Sequence, residues 1–434
     1  MLNYKNMVKD EILVNIAQIE QYYINSIKQK HALKFGLEYE RISIDLSNGK
    51  NAQYKYIEKI IKDFASMLNW GLLYDNKTLI GTISKDGTTI SLEPGCQMEL
   101  SLAPKDSICE IEKSAKEILN VLDRIAKFYN VAFLPLGLTP KSTHQNIELL
   151  NKERYKIMAK SLIKNGKFIP NMMRETAGVQ VNIDYCSEYD AFKKLKVLNL
   201  ISPCLTGFFA NSPIRNNKLT QYKSYRALAW KFSGACRCGI FYKNIFKKEN
   251  PKFLDYINEI LAVPMVFIEK NNEKIIFNDT TFGEYINSKK ACLKDYILHS
   301  SLTFPDVRLK NCIEIRNHDS QDFKMTMCIC ALYKGILNSN LDEIEKDFAE
   351  FNFDDIEKMG FLSAKFGVDY IYKNFSPKNY IKKLFKIAQE NLDENEKQYL
   401  SPANYYLEHG ICVADKIINN NIKSADELIK HVLG

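Results

Sequence analysis

No stretch of this chain approaches the roughly 20 uninterrupted apolar residues that a bilayer-spanning helix requires, so no membrane span is expected. The opening segment, MLNYKNMVKDEILVNIAQIEQYY, is charged throughout and lacks the apolar core of a secretory signal. Glycine-rich phosphate loops are missing too. Neither GxxxxGKS, GxxxxGKT nor GxGxxG occurs, so any nucleotide must be held by other means. Internal repeats, low-complexity tracts and Pro/Gly/Ser linkers are likewise absent. The eleven cysteines are odd in number and scattered, which argues against a secreted disulfide framework. Cys236/Cys238 and Cys328/Cys330 have a single residue between them, too few for the usual zinc spacing. Structural zinc is therefore not expected, and a reducing cytoplasm is the expected compartment.

What is present is ordinary globular material. The 434 residues are 46% hydrophobic and 26% charged, enough to bury a sizeable core. The net charge is +8, but the lysines alternate with Asn, Ile and Tyr and form no blocks. Dispersed lysine marks a solvated surface, so nucleic acid is not expected as a partner. A field of this sign favours anionic substrates such as a nucleotide triphosphate.

Apolar residues at helical spacing predict a helix over 55–69, with Ile57, Ile60, Ile61, Phe64 and Leu68 on one face. Ser107 followed by Glu110 reads as a capping box opening a helix to about Tyr129. Further helices are predicted at 187–200, 251–261, 320–337, 376–391 and 402–419. Between them lie alternating segments. Gln97, Glu99 and Ser101 share one face of 97–102, and Gln180, Asn182 and Asp184 one face of 179–184. In 312–318 the polar set is Glu314, Arg316 and His318. Alternation of this kind suits an antiparallel sheet with one face against helices and the other open. Strands and helices follow each other without regular βαβ order, so the expected class is α+β.

Four constellations carry chemistry. Glu38 and Glu40, two residues apart on a strand, point the same way and can reach one cation. Glu93 sits beside the Pro94-Gly95 turn, with Glu99 on the polar face of the next strand. Four glutamates on strand-like segments make an oxygen-rich site suited to Mg²⁺ together with substrate phosphates. A third group runs Ala210-Asn211-Ser212-Pro213, then Ser224, Arg226, Trp230, Arg237 and Gly239. Its arginines are suited to clamping carboxylate or phosphate. The fourth runs from His299 to Arg308 and leads into Glu314-Ile315-Arg316.

In this order the constellations resemble the plant-type glutamate–cysteine ligase family. The resemblance rests on Gly36-x-Glu38-x-Glu40, on Ser91-Leu92-Glu93-Pro94-Gly95-x-Gln97-x-Glu99, and on Thr176 through Asp184 with Met172-Met173 before it. Ala210 to Gly239, Val263-Pro264-Met265, His299 to Arg308 and Glu314-x-Arg316 complete it. It implies the glutamine-synthetase-like ligase fold, a curved antiparallel sheet cupping the active site and surrounded by helices. It also implies one catalytic domain over residues 1–434, with motifs in 33–335 and a helical part, 336–434, packed on it. The implied reaction joins the γ-carboxylate of glutamate to the amine of cysteine at the expense of ATP, through γ-glutamyl phosphate, the first step of glutathione biosynthesis. Glu38, Glu40, Glu93 and Glu99 would hold Mg²⁺ (or Mn²⁺), and Arg226 the α-carboxylate of glutamate. Arg237 and Arg316 would neutralise the phosphoryl group. Thr176, Gln180, Asn182, Trp230 and His299 would contact substrate.

Three departures touch the acceptor side. Lys231-Phe232-Ser233-Gly234-Ala235-Cys236 contains no acid where the family places aspartates. Gly95-Cys96 stands for Gly-Gly, and Ala177-Gly178 for a small polar run. Two alternatives therefore stay open: a ligase of the same fold with another acceptor amine, and a non-catalytic relative that binds nucleotide or amino acid.

Overall fold

The structure, a computed structural model, describes residues 15–271 and 273–434; the charged opening segment 1–14 lies outside them. Its frame is a nine-stranded sheet. The strands are β1 (Phe35–Asp45), β2 (Gly71–Asp75), β3 (Thr78–Ile83), β4 (Thr89–Leu92), β5 (Met98–Ser101), β6 (Val131–Leu134), β7 (Gly178–Ile183), β8 (Val307–Leu309) and β9 (Ile313–Asp319). The order is β8-β9-β7-β1-β5-β4-β3-β2, with β6 paired to the end of β1, and every pairing is antiparallel. The expected α+β class and antiparallel sheet are both observed.

Alternation decides which side of the sheet is core. Leu37 and Tyr39, Met98 and Leu100, Val179 and Val181, and Ile313 and Ile315 all point to one side and are buried. Helices α1 (Tyr54–Leu68), α2 (Ile108–Phe128), α3 (Ile169–Glu175), α4 (Glu188–Phe208), α5 (Tyr225–Lys231), α6 (Phe253–Leu261), α7 (Leu293–Ser300), α8 (Phe323–Asn338) and α9 (Phe353–Phe366) surround the sheet. The capping box foreseen at Ser107 holds in part: its hydroxyl accepts the Glu110 N–H and opens α2. Among the described residues no helix is long and apolar enough to cross a membrane. Residues after 336 share the main apolar core through Ile344, Met359, Ile381 and Leu384.

Three local expectations need correction. The helix expected to end at 200 runs through Pro203 to Phe208. The helix expected over 402–419 is broken: Gly410 takes the left-handed conformation (φ 61°) and ends one helix before Val413–Asn419 begins. The third correction lies in β9. Ile315 pairs with Val181 and His318 with Val179, so three steps on β9 match two on β7. This bulge reverses the alternation. His318 therefore leaves the polar set expected for it and turns to the helices, where its Nε2 meets the Tyr333 hydroxyl at 2.9 Å. The extra residue, Asn317, donates to Ser202 O and Thr206 Oγ1 on α4.

Candidate active site

The other side of the sheet gathers most of the charged residues singled out in the sequence. Register places Glu40 opposite Glu99, Glu38 between Ser101 and Gln180, and Glu314 between Asn182 and Arg308. Amides from β7 hold the carboxylates of β1. Gln180 Nε2 donates to Glu40 (2.8 Å), Asn182 Nδ2 to Glu38 (3.0 Å), and the Gly178 N–H to Glu40 (2.6 Å). Gln180 also accepts from Arg316 Nη1, which links the acids of β1 to the arginine of β9. Glu99 accepts from Ser101 (2.7 Å) and Ser91 (3.3 Å).

The Glu93 turn is held by neighbours. Gly95 packs so close to the backbone of Arg174 that a Cβ there would lie 2.4 Å from its carbonyl oxygen. Gly95 is thus required by close approach, and the left-handed residue of the turn is Cys96 (φ 61°). Gln97, expected on the open face, instead fastens this turn: its Nε2 reaches Thr176 O at 2.8 Å and its Oε1 accepts the Gly95 N–H at 2.7 Å.

The carboxylates divide into two kinds. Glu314 is fully buried and receives Arg308 (2.7 Å), Lys310 (2.6 Å) and Arg316 (3.0 Å). Burial alone would raise its carboxyl, but the three cations outweigh that and hold it well below the usual range. Glu40, Glu93 and Glu99 have no such escort. Burial, and then the neighbouring carboxylates, push Glu40 and Glu93 up to about 7 and Glu99 up to about 8. No donor among the described residues bonds the Glu93 carboxylate. A set of acids that repel each other out of water is matched by a divalent cation. Among the described residues no three carboxylates, imidazoles or thiols already converge as a ligand set. Magnesium does not need one, because it takes one or two carboxylates and completes its shell with phosphates and water.

Beside the acids stand the arginines. Arg226 and Arg316 lie 5.5 and 5.6 Å from the centre of the Trp230 ring, and Arg226 donates to Arg316 O at 2.9 Å. A residue overlooked in the sequence sets this geometry. Asp319, at the end of β9, accepts from Ser212 Oγ (2.6 Å), Ser224 Oγ (2.8 Å) and the Asn211 N–H (2.7 Å). Ser224 caps α5, which carries Arg226 and Trp230, so a single carboxylate joins both arginine-bearing elements. Alternation alone gives no signal for Asp319, because it follows the bulge.

Three expected site residues are not brought to this cluster. Arg237 is buried and donates to the backbone oxygens of Leu302 (2.9 Å) and Pro264 (2.8 Å), so it ties two loops together. His299 is buried against Phe282, bonds Ile260 O at 3.0 Å, and is pushed down to about 4 by burial. Thr176 spends its hydroxyl on Met172 O at 2.7 Å.

Gly178 offers a direct check on the arginine cradle. A Cβ there would lie 2.5 Å from Arg226 Nη2 and 2.8 Å from His318 O. Gly178→Ala is expected to displace the guanidinium and lower kcat/KM by about 10²-fold, read by steady-state kinetics. Unchanged kinetics would show that Arg226 has no fixed role.

The model of the glutamate–cysteine ligase family 2 (GCS2) matches residues 34–433. Chloroplastic glutamate–cysteine ligase of Medicago truncatula is 26% identical over 423 residues, covering 95% of this chain and 83% of that protein. The Arabidopsis thaliana counterpart is 26% identical over 409 residues, covering 92% and 78%. Among solved structures, glutamate–cysteine ligase of Francisella tularensis in complex with AMP superposes with a TM-score of 0.56 at 12% identity, covering 90% of this chain and 85% of that one.

Proposed function

Since the chain belongs to glutamate–cysteine ligase family 2, we infer that it is an ADP-forming ligase joining the γ-carboxylate of L-glutamate to the amine of L-cysteine. The observation that carries this reading is the family match along residues 34–433, whose acidic motifs fall on one sheet face. We further propose magnesium as the cofactor, glutathione synthesis as the purpose, and small molecules, not nucleic acid, as the partners. The cysteines, all unpaired, suit the reducing cytoplasm we propose as the compartment.

A carboxylate and an amine do not condense in water without a leaving group, so the γ-carboxylate is first phosphorylated. Magnesium, when bound, would neutralise the nucleotide phosphates and draw the transferred group into line. One or two of Glu40, Glu93 and Glu99 would hold it, phosphates and water completing its shell, with Glu38 at the margin, where Lys310 approaches within 3.9 Å. Arg316 presents a positive charge beside them, fixed by Glu314 and Gln180, so it costs no reorganisation when charge develops on the phosphoryl oxygens. Arg226 would take the α-carboxylate of glutamate, a reading supported by its guanidinium being held by Trp230 and the Arg316 carbonyl. Gln180 and Asn182 keep the acids oriented from the sheet floor.

The test is ADP release with ATP, Mg²⁺ and glutamate, adding one amine at a time. Release that needs both glutamate and cysteine, with a product mass of γ-glutamylcysteine, is the expected result. Turnover with another amine would move the acceptor. ATP binding without turnover would leave a non-catalytic relative and sink the mechanism.

A further inference from the structure

Next to the arginine pair lies a cleft between α4, α5, α9 and the 304–306 turn, and it contains a carboxylate that the mechanism leaves unused. Arg226, Trp230, Lys231, Asp306, Arg316 and Glu357 are in its wall. Asp306 is half-buried there, and no donor among the described residues bonds its side chain. The nearby lysine is occupied elsewhere: Lys231 donates to Glu357 O at 2.9 Å. The Glu357 carboxylate receives Lys243 at 2.8 Å. Asp306 thus lies within the field of Lys231, Arg226 and Arg316, yet among the described residues its carboxylate has no hydrogen-bond donor of its own.

The same wall holds unmatched donors. Arg226 is 3% exposed, yet its Nε–H has no partner. Trp230 Nε1 and Arg316 Nε are buried and unpartnered as well. Buried donors in this state are costly unless a ligand or water completes them. Phosphate or a plain carboxylate would satisfy the arginines but be repelled by Asp306. A simple amine would do the reverse. An α-amino acid head carries both signs on one carbon and answers both.

We propose that Asp306 reads the α-ammonium of glutamate while Arg226 takes its α-carboxylate, which makes this cleft the subsite that selects an α-amino acid over a plain dicarboxylate. The assignment rests on the ligase reading of the neighbouring site. It explains specificity in familiar terms: a site built to pair a polar group rejects the analogue that lacks it, because its own buried charge is left unpaired.

The experiment compares glutamate with glutarate, which lacks only the amino group, on wild type, Asp306→Asn and Asp306→Glu. Asparagine breaks no side-chain bond, and the backbone oxygen of Asp306 still accepts the Arg316 N–H, so folding is expected to be unaffected. Asp306→Asn is expected to raise KM for glutamate about tenfold or more with little change in kcat, and to shrink the glutamate-to-glutarate ratio of kcat/KM by at least about tenfold. Asp306→Glu should restore part of that ratio, which a merely structural role would not do. Thermal stabilisation by each ligand, without cysteine, gives the same comparison independently of turnover. An unchanged ratio, or an effect confined to KM for cysteine, would overturn the proposal. If the wild type makes no γ-glutamylcysteine, the ligase reading fails alone; preferential stabilisation by glutamate, lost in Asp306→Asn, would still uphold the subsite, and its absence from wild type would overturn it.

Discussion

Glu99→Gln is expected to lower kcat/KM by about 10²–10³-fold and, at the same time, to raise the melting temperature of the nucleotide-free protein. Glutamine keeps the shape of the side chain and can still accept from Ser101 and Ser91. What it removes is a charge that burial disfavours first, and Glu93 and Glu38 next. The two effects have one origin, because the charge that strains the empty cluster is the charge a metal–phosphate complex uses. The pH dependence gives the sign. A carboxyl raised from its ordinary value to about 8 binds its proton more tightly in the folded state. Its stabilising contribution is complete at low pH and is lost as pH rises through 8. The gain in Glu99→Gln should therefore begin above the ordinary value of 4.5, be clearly smaller at pH 6 than at pH 8.5, and be largest near pH 8.5, and saturating Mg²⁺ and nucleotide should cancel it. Scanning calorimetry at the two pH values, beside steady-state kinetics, checks both halves. A variant that is less stable at pH 8.5 and still active would remove the acids from the metal assignment.

Glu314→Ala should move stability the other way, by a loss of about 3–5 kcal/mol. Glu314 has no exposed surface and is shared by Arg308, Lys310 and Arg316. Deleting it leaves three cations around a buried void, and Arg316 loses the bond that fixes it beside the acids. Here the carboxyl is held below its ordinary value, so its contribution is present above that value and lost as pH falls through the lower, folded one. Urea denaturation at pH 7 gives the measurement. A loss under about 1 kcal/mol would show that the cations find other partners. Two glutamates on one face of one sheet are thus expected to respond with opposite signs, because one is surrounded by arginine and lysine and the other by its own kind.

Much of this site was readable before any coordinates, for a physical reason. Alternation along a strand states which residues share a face, and 35–40, 97–102 and 179–184 obeyed it for all but Gln97 and the strand end. Which strands would be neighbours was not readable, yet Glu40 and Glu99 become a pair only through the β1–β5 register. Arg237 and His299 misled because an arginine or histidine in a motif looks the same whether it meets substrate or a backbone carbonyl. His318 misled because period-two alternation carries no mark of an extra residue. Asp306 lay inside the run from His299 to Arg308 without being given a role, and Asp319 escaped notice as a single acid outside any pattern. The segment after 338 was legible as helix, but not that Glu357 and Gly360 of α9 would form a wall of the cleft beside Trp230.

The bulge in β9 has a consequence for how this protein can change over time. Before the extra residue the strand serves the cavity with Glu314 and Arg316; after it, His318 serves the core and Asp319 the junction with α5. Loss of Asn317 would leave His318 opposite Val179 in a regular ladder, whereas a second added residue would exchange these duties, sending the imidazole toward the substrate and the Asp319 carboxylate into the apolar layer. Point substitutions can retune the cavity gradually, whereas a residue added to this strand alters the cavity and the core together. The spacing between Arg316 and Asp319 can accordingly shorten by the bulge residue and keep both faces, but it cannot lengthen by one without reversing them.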